Sequence, residues 1–403
     1  MRRFEGGQLA NISFPMGGIG AGMVCFSGTG RLQDISINGD PGVGCNPEAF
    51  AAIAVTGPAG VCRVLEAPVP PFRYFNDLPN SGNGLYGKDY GLPRFRGGTF
   101  SSRFPFATLS LQDPAFPLQA ELTGWSPFVP GDDLASGLPV AAIEYSLANP
   151  GTETLDAVFS YSCPQFCQDG GSGSLVRIRD GAVFLQDGEG QRPHDRTAFA
   201  LWLDCPAAVD TAWFRGAPLS FDTLTLLWRR IESGACEDRV HPDEDPARAR
   251  GVTLSARLRL GPGERRTLAV RFGWHAPYPH LRAGVGRDDA AAEASGGPVD
   301  TCSPWYTTRF RDIGEVRAYW DTHYDALREE SGVFSDCFYD TSLPDVLVEA
   351  VAANLSILKT PTLLRQADGR MWGWEGCFDR YGSCPGSCTH VWAYTQSLCH
   401  LFP

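Results

Sequence analysis

The sequence predicts a mainly β protein, a large N-terminal β-sandwich followed by a smaller helical part. Three observations carry this expectation. From Met1 to about Pro298, short alternating or wholly apolar runs are cut by Gly, Pro, Asn and Asp, as strands joined by turns are. After Pro304 the periodicity changes to that of helices. The composition, with 46 Gly and 31 Pro beside 43% hydrophobic residues, is that of a turn-rich globular protein and excludes disorder and collagen.

Within PVAAIEYSLANPGTETLDAVFSYS, Val140, Ala142, Glu144 and Ser146 alternate with Ala141, Ile143, Tyr145 and Leu147. Asn149-Pro150-Gly151 then supplies turn chemistry before the next strand. In GVTLSARLRLGPGERRTLAVRFGW, Leu254, Ala256, Leu258 and Leu260 share a face, Gly261-Pro262-Gly263 turns, and Leu268, Val270 and Phe272 resume. Many such hairpins in series predict a sandwich.

Beyond Pro304, Ile313, Val316, Tyr319 or Trp320, Tyr324 and Leu327 recur at helical spacing, with no proline between Asp312 and Glu330. A second helix is expected in TSLPDVLVEAVAANLSILKTP, with Ser342 as cap, Pro344 and Asp345 in the first turn and Pro361 just past the end. THVWAYTQSLCHLF is a third apolar segment. At 403 residues the chain exceeds one compact core. The expected division is residues 1–303 for the sandwich, 304–340 for a helical linker and 341–403 for the start of a helical domain. So few helices leave one face uncovered, which predicts that the chain is part of a longer protein or meets a partner there.

A net charge of -12 and only two lysines, Lys88 and Lys359, argue against nucleic acid and anionic lipid as partners. A neutral ligand suits this balance, although an acidic surface is most simply a soluble one. MRRFEGGQLANISF lacks the apolar run of a signal peptide, and no stretch reaches the roughly 18 apolar residues of a membrane span. Thirteen scattered cysteines in so large a chain read as reduced and mostly buried. A cytoplasmic protein without integral membrane contact is expected.

FPMGGIGAGMV tempts a nucleotide-binding assignment, yet with Gly18 and Gly20 as the first pair the third glycine of the fingerprint falls on Met23. A glycine-rich turn leading into a strand fits better. In GWEGCFDRYGSCPGSCTHVW, Cys377, Cys384, Cys388 and His390 offer four soft ligands, but their spacing suits neither paired zinc knuckles nor a redox pair. Buried thiols packing a tight loop are the favoured alternative. Trp372, Trp374 and Trp392 near Glu375 are either core or the wall of a sugar subsite, where indoles stack on C–H faces and a carboxylate meets hydroxyls.

Several segments in order resemble glycoside hydrolase family 116, which includes the non-lysosomal glucosylceramidases, and in particular its bacterial branch. They are FPMGGIGAG with RLQDISINGDPG, SSRFPFATLSL, ELTGWSPFVPGDDLASGLPVAAIEYSLANPG, PGERRTLAVRFGWH, SLPDVLVEAVAANLSILKTPT, DGRMWGWEGC and GSCPGSCTHVWAYTQSLCHLFP. The resemblance implies an N-terminal β-sandwich docked on an (α/α)6 barrel whose first helices are present here. It implies retaining hydrolysis of β-linked glucosides, of the glucosylceramide type or β-xylosides, with no cofactor in the chemistry and room for a structural calcium. Glu375 matches the family's nucleophile, and the acid/base Asp is expected downstream of Pro403, so the 403 residues alone are expected to be inactive. Where many relatives carry an Asp-Val pair that binds a sugar hydroxyl, Thr389-His390-Val391 stands here, and either Thr389 or His390 takes that place. Trp392 and Asp379 are further substrate-binding candidates. The expected partner is a small glycoside or glycolipid. The rival expectation is a carbohydrate-binding module without catalysis.

Overall fold

The computed structural model describes residues 2–38, 42, 46–57, 60–71, 89–167, 174–178, 181–186, 197–212, 223–240, 251–277, 303–376, 394 and 396–402. The strands run β1 (Arg3–Glu5), β2 (Ser13–Gly17), β3 (Met23–Ser27), β4 (Leu32–Ser36), β5 (Phe50–Val55) and β6 (Val61–Val64). They continue as β7 (Gly97–Arg103), β8 (Phe106–Gln112), β9 (Gln119–Trp125), β10 (Val140–Ala148), β11 (Leu155–Pro164), β12 (Ser174–Ile178) and β13 (Ala182–Gln186). Next come β14 (Thr197–Leu203), β15 (Ala208–Asp210), β16 (Gly251–Leu260), β17 (Arg265–His275), β18 (Leu363–Arg365) and β19 (Met371–Gly373). The helices are α1 (Asp133–Ser136), α2 (Thr223–Glu232), α3 (Ile313–Tyr339), α4 (Asp345–Ile357) and α5 (Leu398–Leu401).

Among the described residues, one sheet has the order β1-β7-β8-β9-β10-β17-β14-β13-β12 and faces another of order β15-β16-β11-β5-β6. Between them lies the main core. Ala141, Ile143, Tyr145 and Leu147 of one sheet share it with Leu254, Ala256 and Leu260 of the other, as the period-two alternation requires. Tyr145 meets Phe159 across the gap at 5.0 Å between ring centroids, and Tyr161 meets Phe272 at 5.8 Å. The fold is the expected mainly β sandwich.

The two quoted strand pairs are not hairpins, which corrects the expected pairing. β10 pairs with β9 and β17, whereas β11 pairs with β5 and β16, so each turn carries the chain from one sheet to the other. The two crossings lie side by side and are held by one side chain. Asn149, buried, donates from Nδ2 to the carbonyls of Glu153 (2.7 Å) and Leu260 (3.0 Å) and accepts from Gly151 N–H (2.9 Å). Its backbone also bonds Glu264 and Gly263 of the second crossing. An Asn-Pro-Gly turn therefore serves here as a corner, because both flanking strands bury their alternate residues in the same core.

Helices cover both outer faces. α3 lays Val316, Trp320, Tyr324 and Leu327 over Trp125, Val140, Ala142, Ala200 and Trp202 on the outside of the larger sheet. It is capped by Asp312, whose side chain accepts from Glu315 N–H at 3.1 Å, and runs to Tyr339. α2 covers the smaller sheet, setting Leu227 and Ile231 against Phe50, Ala52, Ala54 and Val64. No helix was expected before Pro298. α4 begins at residue 345 with Pro344 at the cap position and no side-chain cap, so Ser342 does not serve as one. Among the described residues no helix is long and apolar enough to cross a membrane.

Candidate functional site

The chain leaves α4 through Lys359 and enters a short hairpin, β18 and β19, in register Leu363↔Gly373, Leu364↔Trp372 and Arg365↔Met371. Gly369, at φ 87°, closes its turn with an N–H bond to the Gln366 carbonyl at 2.8 Å. Trp374 N–H bonds the Thr362 carbonyl at 3.0 Å and extends the ladder by one residue. The Trp374 side chain is buried against Leu364 and Trp372, and its carbonyl accepts from the Tyr394 hydroxyl. Glu375 follows immediately and is exposed. A buried indole thus anchors the residue before an exposed glutamate.

Three contacts fix this hairpin to the sandwich. The glycine-rich turn between β2 and β3 packs directly on it: a Cβ at Gly20, whose φ is +68°, would lie 2.4 Å from the Arg365 backbone nitrogen. Gly18 sits as closely on the Gly137 carbonyl group, and Ile19 N–H bonds the Ser136 carbonyl at 2.8 Å, so the turn is wedged between α1 and β18. Arg365 stacks 3.7 Å from the Trp305 ring centroid and donates to Asp133 at 2.6 Å. Lys359, buried, donates from Nζ to the Ser126 carbonyl (3.0 Å), Ser126 Oγ (2.6 Å) and the Pro127 carbonyl (3.0 Å). Ser126 Oγ in turn bonds both N–H and C=O of Gly17, linking the lysine to the same turn.

Gly20→Ala is expected to destabilise by about 1–3 kcal/mol through a strained φ and a backbone clash. Gly263, at φ +72° with open space around its Cβ position, gives the control. Gly263→Ala carries the strain without the clash. Amide exchange in residues 363–374 should quicken in the Gly20 variant alone, and equal exchange in both would remove the turn from the support of Glu375.

Of the expected site residues, the structure places Glu375. Asp379, Thr389, His390 and Trp392 lie outside the described residues, as do Cys377, Cys384 and Cys388. The residues that sequence reasoning missed are the supports: the Gly17–Gly22 turn, Asp133, Trp305, Lys359 and Arg365. The glycine run was the one available signal, since closely spaced glycines mark a close backbone approach.

Residues 13–330 match the family model described as beta-glucosidase 2, glycosyl-hydrolase family 116 N-term. The chain belongs to glycosyl-hydrolase family 116. The match takes in the family 116 sandwich and two thirds of α3 and stops before Glu375. No curated protein matches the sequence significantly. A human-microbiome protein described as a kojibiose phosphorylase is 8% identical at a TM-score of 0.37, over 86% of this chain and 38% of its own. The family GH92 α-mannosidase of Bacteroides thetaiotaomicron is 11% identical at 0.31, over 90% and 42%. The chain thus spans well under half the length of either. Likeness at this level assigns neither activity nor substrate.

Proposed function

We propose that this chain is the sandwich and the leading helices of a retaining β-glycosidase of the β-glucosidase type, with Glu375 as nucleophile. The observation that carries the reading is an exposed carboxylate at the end of a hairpin clamped to a family 116 sandwich. In a retaining mechanism such a carboxylate attacks the anomeric carbon and forms a glycosyl ester, while an acid/base carboxyl about 5 Å away protonates the leaving oxygen and then activates water. The second carboxyl is an Asp of the (α/α)6 barrel, whose first part is residues 341–403, joined by the linker 304–340 to the sandwich 1–303. Thr389 or His390 holds a sugar hydroxyl, with Trp392 and Asp379 nearby, and the substrate is a small β-glucoside or a glucosylceramide-type glycolipid.

A cytoplasmic setting belongs to the same reading. Cys25, Cys62 and Cys163 are buried thiols, and burial pushes Cys25 and Cys62 up to about 12, which keeps them inert.

The test is covalent trapping in the full-length protein. A cyclophellitol-type β-glucoside mimic should add its mass to the peptide carrying Glu375, and Glu375→Gln should abolish the adduct. An adduct on another carboxylate would move the nucleophile. Saccharide binding without any adduct would make the chain a carbohydrate-binding module instead.

A further inference from the structure

A cleft of about 700 Å³ opens at the edge of the sandwich, where the chain leaves β14 of the larger sheet for β15 of the smaller and α3 passes over the rim. Its volume lies within the range of small-ligand sites. None of its lining residues belongs to the β18–β19 hairpin or its supports. Val209 and Leu254 line it from the smaller sheet, and Val240, 44% exposed, contributes from the segment after α2.

The polar lining comprises Asp204, Asp238, Arg271, Arg317 and Asp321, beside Trp202. Part of it is rigidly built. Asp321 accepts from Trp202 Nε1 and from Arg271, each at 2.8 Å, and the Arg271 guanidinium lies 3.8 Å from the Tyr324 ring centroid. Asp238 accepts from Val209 N–H at 2.8 Å, which fixes its carboxylate on the opposite sheet. Both acceptors and donors therefore line one space, with apolar side chains among them.

That mixture selects among ligand classes. An anion would meet three carboxylates, and a cation would meet two guanidinium groups. Among the described residues no group of three His, Cys, Asp or Glu side chains is arranged to hold a metal ion. A neutral ring bearing vicinal hydroxyls satisfies both kinds of group, donating to Asp and accepting from Arg, while a C–H face meets the exposed Val240 at the mouth. We propose that this cleft is a binding site for a neutral oligosaccharide, separate from Glu375 and independent of the role given to that residue. It would hold a neighbouring stretch of glycan on the sandwich while another part reaches the helical domain.

The test uses the full-length protein carrying Glu375→Gln, so that any hydrolysis at that residue is suppressed, titrated calorimetrically with cellotetraose. Two substitutions address the cleft without touching its ion pairs: Asp204→Ala removes a wall carboxylate, and Val240→Arg fills the mouth. Each is expected to weaken one class of tetraose site about tenfold, about 1.4 kcal/mol, with an unchanged unfolding midpoint. Unaltered binding in both variants would overturn the proposal, as would absence of binding at about 10 mM, where even a weak site of millimolar Kd fills. Equal affinity for a uronic-acid tetramer would overturn the choice of a neutral ligand. Loss of tetraose binding in these variants, with inhibitor labelling at Glu375 retained in the otherwise wild-type protein, would support it and leave the nucleophile assignment standing.

Discussion

Glu144→Ala is expected to lower stability by about 2–4 kcal/mol, because it removes a buried carboxylate that accepts from three side chains. Glu144 stands on the outer face of β10 and is 8% exposed. Its carboxylate accepts from Arg328 Nε at 2.5 Å and Nη2 at 2.8 Å, from the Tyr324 hydroxyl at 2.9 Å and from Trp125 Nε1 at 3.1 Å. Burial pushes the Tyr324 phenol well above its ordinary range, and the hydrogen bond to Glu144 pushes the Arg328 guanidinium up as well. Truncating the carboxylate leaves the Tyr324 hydroxyl without its acceptor beneath α3, while Trp125 Nε1 keeps the Tyr324 oxygen at 3.2 Å and the partly exposed Arg328 reaches water.

The contrast with Arg328→Met tests the mechanism. Arg328 is partly solvent-exposed, and without it Glu144 keeps the Tyr324 and Trp125 donors. That variant should cost about 1–2 kcal/mol, the scale of a hydrogen bond to a charged group. Urea unfolding followed by tryptophan fluorescence reads both, because Trp125 and Trp320 pack at 5.3 Å in this interface. Equal costs for the two variants would mean that α3 is held by apolar contact alone, with the carboxylate incidental.

The fold was legible wherever one face of an element is buried. Ala141, Ile143, Tyr145 and Leu147 alternate visibly because a single core takes all four, and Val316, Trp320, Tyr324 and Leu327 recur at helical spacing because one sheet takes that stripe. Strand pairing was not legible. An Asn-Pro-Gly turn reverses the chain whether the next strand lies beside the last or across the core, and only the partners of β10 and β11 decide between them. α2 escaped notice because a ten-residue segment with Leu227 and Ile231 inward is too short to stand out amid apolar strands.

At the site, the tryptophans around Glu375 left two readings open, core or sugar subsite, and the family resemblance singled the residue out as nucleophile. Its supports were illegible for another reason. Gly20 and Arg365 meet across most of the chain, and no spacing rule joins them. Lys359 was counted in the sequence only as one of two lysines, whereas the structure makes it an internal joint.

Lys359→Ala should therefore have the other large effect, about 2–5 kcal/mol, from the emptied stem and the loss of the donor to the Ser126 and Pro127 carbonyls. The ammonium site is 1% exposed, lies 5.6 and 5.7 Å from the Phe104 and Phe128 ring centroids, and has no carboxylate bonded to it among the described residues. Burial pushes its pKa well below the ordinary lysine range. A neutral amine fits these neighbours too: it gives its two hydrogens to the Ser126 and Pro127 carbonyls, while Ser126 Oγ keeps its bonds to Gly17.

The sign of the pH dependence follows. The folded state holds this proton less tightly than the unfolded state, whose lysine titrates near about 10.4, so between the lowered folded value and that point the unfolded state binds more protons. Stability from this residue rises with pH across that window and is lowest below it, where the folded state must bury the charge. Lys359→Met keeps the stem, cannot titrate, and should cost less than Lys359→Ala. The stability of the wild type relative to Lys359→Met should therefore grow as urea midpoints are taken from neutral pH towards 10. A constant difference would mean that the carbonyls and rings hold the ammonium as well as water does, and that the joint between the sandwich and the Glu375 hairpin is insensitive to protons.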